Sequence, residues 1–170
     1  MTAVTTEGRT APDPSAGYAH EHRPLAAYAL LTAGFGAAVG GTLLGLRARG
    51  RELPERPGVG DLALAGLATH KVSRLLAKDR VTSFLRAPFV RYEGSAGQGE
   101  VSEEARGTGL RLAIGELVNC PYCLAQWVAA AFACGLVTAP RLTRFVAGIY
   151  AAETMSDFLQ LAYAAAEERA

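Results

Sequence analysis

Residues 24–46 read PLAAYALLTAGFGAAVGGTLLGL and contain no charged side chain, although Arg23 precedes them and Arg47 follows. A second stretch, residues 117–140, reads LVNCPYCLAQWVAAAFACGLVTAP and is equally free of charge. All 17 basic and 16 acidic side chains lie outside these two blocks. A bilayer core about 30 Å thick takes about 20 helical residues. Pro24 suits a first helical position, where its missing N–H has no partner to lose. Leu25–Leu46 then gives a helix of about 33 Å at about 1.5 Å per residue. The second block is expected to start at Asn119 as N-cap and to stop at Pro140. Both tracts exceed what the core helix of a small globule needs, so the pattern predicts an integral membrane protein.

The rest of the composition fits that class without deciding it. The chain has 170 residues, 50% of them hydrophobic and 19% charged. That excludes disorder, collagen and a disulfide scaffold. A net charge of +1 gives no nucleic-acid signal. Residues 1–23 read as a polar, disordered tail, in which His20 and His22 are solvated rather than metal-bound. The first apolar block is longer than the roughly 7–15 residues of a secretory signal, so it reads as a retained anchor.

Two weaker spans are expected at about 61–77 and 145–166. The first carries His70, Lys71 and Arg74. The second carries Glu153 and Asp157, one helical turn apart and so on one face. Opposite charges on neighbouring helices relieve a burial cost that neither bears alone; the alternative is that the basic side chains snorkel to the interface. The expected fold is therefore all-α, a small helical transmembrane bundle of four spans at about 25–46, 61–77, 119–139 and 145–166. These lie in one membrane domain, 24–166, with a short tail at 167–170. Eleven Lys and Arg fall in the N-terminal tail, the 70–116 region and the C-terminal tail, against six in the other loops. The positive-inside rule then puts both termini in the cytoplasm of a cell membrane.

Between spans two and three, residues 78–92 read KDRVTSFLRAPFVRY. This is a basic amphipathic segment suited to the bilayer surface and to anionic headgroups. Thr82 or Ser83 is expected to cap a short helix that Pro88 interrupts. Residues 94–109, rich in Gly, Ser and Glu, read as a mobile loop. In the first span Gly36/Gly40 and Gly41/Gly45 are each four apart, which serves either a homodimer seam or close packing inside the bundle.

Cys120-Pro121-Tyr122-Cys123 is the sharpest local motif. Two thiols at this spacing can close a small ring, and a helix N-terminus favours a thiolate. The tetrapeptide resembles the glutaredoxin active site, but no preceding strand or βαβ pattern accompanies it. A CxxC at a membrane-helix end also resembles the quinone-coupled disulfide-forming enzymes. Those need a further cysteine pair, and only Cys134 remains here. A third reading sets Cys120, Cys123, His70 and Glu116 as Zn or Fe ligands. The bland reading, in which the cysteines pack a helix entry, stands beside these, and no cofactor is expected from it.

Thr69–Ser83, THKVSRLLAKDRVTS, then Leu85-Arg86-Ala87-Pro88-Phe89, form one half of a further match. Gly115-Glu116-Leu117, then Cys120-Pro121-Tyr122-Cys123-Leu124 and Trp127, form the other. Together they resemble a bacterial membrane family, domain of unknown function 1360, over roughly residues 60–165. That family has Pro where Phe84 stands and Thr or Ser where Asn119 stands. The resemblance implies a multi-pass membrane protein and carries no established activity. It marks His70, Lys71, Arg74, Asp79, Arg80, Glu116, Cys120 and Cys123 as one polar cluster at the cytoplasmic face. The function expected is a non-catalytic accessory or interaction protein. The alternatives are a membrane dithiol oxidoreductase using Cys120 and Cys123, and a metal- or ligand-binding module. No hydrolase or kinase motif is present.

Overall fold

The computed structural model describes Tyr18 and residues 23–169; His20 and His22 lie outside the described residues. Among the described residues six α-helices and one β-hairpin follow in the order α1 (Leu25–Ala48), α2 (Val59–Lys78), α3 (Ser83–Arg86), β1 (Val90–Gly97), β2 (Glu100–Ala105), α4 (Gly109–Asn119), α5 (Pro121–Thr138) and α6 (Pro140–Glu167). The fold is mostly helical, but among the described residues only α1 and α5 are long and apolar enough to cross a membrane. Helix α1 runs two residues past the end of the first charge-free block, and α5 starts four residues inside the second and stops two short of its end.

The bundle centres on α2, which packs along α6 and α5, while α1 lies against α4 and α5. Small side chains bring α2 and α6 close: Ala68, Ala147, Ala151 and Thr154 are buried. The Thr154 hydroxyl lies 2.9 Å from the carbonyl oxygens of Leu67 and Tyr150, so its proton serves both the neighbouring helix and its own. Trp127 of α5 meets Phe35 of α1 edge-on, with ring centroids 5.3 Å apart. Such a pair adds about 0.5–1.5 kcal/mol to simple burial.

Two polar planes close the bundle. At one end Asp61, near the start of α2, takes both oxygens to the Arg144 guanidinium at 2.7 Å, near the start of α6. At that end too, Arg51 donates to the last carbonyls of α5, at Val137 and Thr138. At the other end the Lys78 ammonium donates to Asn119 Oδ1 at 2.8 Å, and Arg23 and Tyr28 of the α1 entry hold Glu116. Thus α1 and α5 run one way, and α2 and α6 the other.

Residues 90–105 correct the expectation of a mobile loop. They form an antiparallel hairpin, with Val90 opposite Ala105 and Tyr92 opposite Glu103. Its tip is Gly97-Gln98-Gly99, all at positive φ, which the two flanking glycines adopt without strain. The tip is tied down, because the Arg80 N–H donates to the Gly99 carbonyl at 3.0 Å. Asn119 is also not the α5 cap. It ends α4, donates to the Glu103 carbonyl at 2.6 Å and accepts from Lys78. Cys120 takes the capping role, its Sγ accepting from the Cys123 N–H at 3.2 Å. A family serine or threonine at position 119 would lack the reach for both bonds that Asn119 makes.

Candidate functional site

The hairpin end is organised around Arg86, which is 1% exposed. Its Nε donates to Glu103 at 2.6 Å, within an ion pair whose two side chains are 1% and 3% exposed. One terminal nitrogen donates to the Leu76 carbonyl and to Thr82 Oγ1. The other donates to the Asp79 carbonyl and to Ser83 Oγ. A guanidinium has five N–H donors, and here each has an acceptor. Arg86 therefore latches the end of α2, the 3-10 turn Arg80–Thr82, α3 and β2 together.

That latch sets its neighbours. Thr82 and Ser83 do not cap α3 with a side-chain bond. Thr82 instead donates to the Leu75 and Asp79 carbonyls. Asp79 caps the 3-10 turn, accepting from the Val81 N–H at 3.0 Å. Phe84 is the second residue of α3 and points outward, 72% exposed. An early helical position tolerates proline, so the family's residue there suits the same backbone.

The remaining cations of 78–92 are also engaged. Arg91 pairs with Glu93 at 2.9 Å and with Glu104, and those carboxylates hold its guanidinium above the ordinary arginine value. Among the described residues the Arg80 guanidinium meets Ser95 Oγ, at 3.4 Å. What this segment presents outward is Val81, Phe84 and Leu85, at helical spacing and all exposed.

The polar residues singled out from sequence divide into two groups. Lys71 sits between Glu153 at 3.2 Å and Asp157 at 2.8 Å, so the charges of α2 and α6 do meet. His70 stacks on Phe158 of α6, with centroids 5.8 Å apart. Arg74 turns instead to Glu100 of the hairpin. The second group surrounds a cleft of about 470 Å³ lined by Arg23, Glu103, Glu104, Leu112, Glu116, Asn119 and Cys120 among others. Glu116 and Cys120 belong here, and His70 does not. The four-ligand metal set therefore fails. Among the described residues no three His, Cys, Asp or Glu side chains are grouped to hold a metal ion. The three cysteines are free thiols.

Residues 64–163 match the family described as Protein of unknown function (DUF1360). The chain belongs to this family. Comparisons with curated proteins and with solved structures gave no match. The matched region leaves out α1 and the start of α2, so the latch, the charged triad and the CxxC cap all lie within the family's own segment.

Gly115 explains how α4 reaches the hairpin. It is buried, and a Cβ there would stand 2.6 Å from the Phe89 carbonyl oxygen and 3.1 Å from the Ala105 Cβ. The glycines of α1 do the opposite. A Cβ on Gly36, Gly40, Gly41 or Gly45 would meet nothing within 4 Å. Close packing inside this bundle is therefore not what they serve.

Proposed function

We propose that this DUF1360 protein is a multi-pass membrane protein in which α1, α2, α5 and α6 cross a cell membrane. Both termini and the hairpin end lie on the cytoplasmic side. It acts as a non-catalytic accessory or interaction protein, presenting the Arg86-latched platform to a partner. The observation that carries this reading is the lack of cover on the apolar helices. Only 6% of the most apolar window of α1 is buried, and none of that of α5. A core helix of a water-soluble globule would be covered; these need a non-aqueous solvent. The alternating helix directions and the two polar planes support four crossings. Val81, Phe84 and Leu85 would sit at the headgroup boundary, with Arg80 reaching an anionic headgroup. The open glycine face of α1 is the proposed seat of a second copy.

The test is a cysteine-accessibility map in a Cys-less background. Glu52→Cys and Gln98→Cys are expected to react with a membrane-impermeant maleimide from opposite sides of sealed vesicles. Labelling from one side only, or protein left behind when vesicles float, overturns the topology.

A second reading rests on the cap at α5. Cys120 Sγ receives a helix N–H, as a nucleophilic thiolate would, and it faces the open cleft. Thiol–disulfide exchange with a partner disulfide then balances: the Cys120 thiolate attacks one sulfur and displaces the other as a thiolate. Cys123, giving up its proton, next attacks Cys120 Sγ and breaks its bond to the captured partner sulfur, which leaves as a thiol, so that a Cys120–Cys123 disulfide remains. Oxidised glutathione is expected to protect both cysteines from alkylation together, reversibly. Independent alkylation of the two after that treatment removes the oxidoreductase reading.

A further inference from the structure

The Lys71–Glu153–Asp157 triad carries one carboxylate more than it has cations. The geometry points to this triad, with the uncovered face of α6, as a docking site for a membrane-embedded helix of another protein that bears a Lys or Arg. The inference rests on the membrane reading above.

Three observations lead there. First, the depth is wrong for an interface charge. Lys71 lies ten residues along α2 from Asp61, and Glu153 lies nine along α6 from Arg144. At about 1.5 Å per residue Lys71 and Glu153 sit about 14–15 Å above the Asp61–Arg144 plane and Asp157 about 20 Å, all inside a core about 30 Å thick. Second, the charge is open to one side. Lys71 is 16% exposed, whereas Glu153 and Asp157 are each 46% exposed, so both carboxylates turn a free edge away from the bundle. An ionised carboxylate edge facing hydrocarbon is costly unless a cation meets it. Third, the helix around them has no cover. From Met155 to Glu167 every residue of α6 except Asp157 is exposed, including Phe158, Leu159, Leu161 and Tyr163.

Charge complementarity sets the partner's chemistry, and this chain does not supply it. Helices α1 and α5 are uncharged over their charge-free blocks. The basic residues of α2 are already paired: Lys71 within the triad, Arg74 with Glu100 and Lys78 with Asn119. His70, the other titratable group at this edge, stacks on Phe158, and among the described residues it forms no ion pair. A second copy therefore has no basic side chain to offer at this depth, and the occupant is a different protein's helix.

The experiment uses the full chain in phosphatidylcholine vesicles and leucine-rich transmembrane peptides whose central residue is Lys, Leu or Glu. Association is read by energy transfer. The Lys peptide is expected to bind at least about tenfold more tightly than the Leu peptide, and the Glu peptide more weakly than either. The preference is expected to vanish in Glu153→Gln/Asp157→Asn. Equal binding of the three peptides to the wild-type chain overturns the inference, whether or not the double variant folds. So does a Lys preference that persists in that variant, or displacement of the Lys peptide by unlabelled second copies of the chain. Failure of the chain to float with the vesicles instead overturns the membrane reading itself.

Discussion

Arg86→Ala is expected to lower stability by about 3–5 kcal/mol, the usual cost of leaving one member of a buried ion pair alone. The Glu103 carboxylate, 3% exposed in the intact pair, would lose its cation. The carbonyls of Leu76 and Asp79 would lose their donors in the same step. Thermal and denaturant unfolding in mild detergent measures the effect. Arg86→Lys is expected to fall between, because an ammonium keeps the charge but replaces five fixed donors with three. Arg86→Ala combined with Glu103→Ala is expected to cost less than the sum of the single changes, since the double variant buries no orphan charge. A loss below about 1 kcal/mol in Arg86→Ala would show that the latch does not hold the hairpin end.

Gly115→Ala is the second large effect, and its sign runs against helix propensity. Alanine in place of glycine inside a helix ordinarily gains about 1 kcal/mol. At position 115 the new methyl would meet the Phe89 backbone oxygen at 2.6 Å, and that carbonyl, held by the Arg106 N–H at the base of the hairpin, cannot swing aside as a side-chain tip can. Overpacking of this kind costs about 1–3 kcal/mol, so α4 and the hairpin are expected to separate and the melting temperature to fall. Gly66→Ala in α2 is the control. A Cβ there meets nothing within 4 Å, and the variant is expected to be neutral or slightly stabilised. Matching behaviour of the two variants would show that α4 does not approach the hairpin as closely as described.

These two sites show where sequence reasoning reached and where it stopped. The charge-free blocks became α1 and α5 because a long uncharged, apolar run is read directly from composition as one continuous helix. The meeting of Lys71 with Glu153 and Asp157 was legible for a related reason: a charge on an apolar helix needs a partner, and few are available. Arg86 was not legible. An arginine between Leu85 and Ala87 in a basic amphipathic run reads as an interfacial anchor, and nothing local says that five acceptors converge on it. The hairpin hid behind composition as well, since Gly, Ser and Glu dominate residues 93–104. The usable signal was Gly97-Gln98-Gly99 between two short stretches bearing Val90, Tyr92 and Val101. Asn119 was misread as a cap because its residue type suits that role; its two tertiary bonds outweighed the local one.

The pairing of α2 with α6 bears on how the chain is made. Asp61, Leu67 and Lys71 find their polar partners at Arg144, Thr154, Glu153 and Asp157, each more than 80 residues further along. While the ribosome is still short of those codons, α2 carries Asp61 and Lys71 without the partners that α6 supplies. The place of α2 in the bundle is then provisional until α6 has been made.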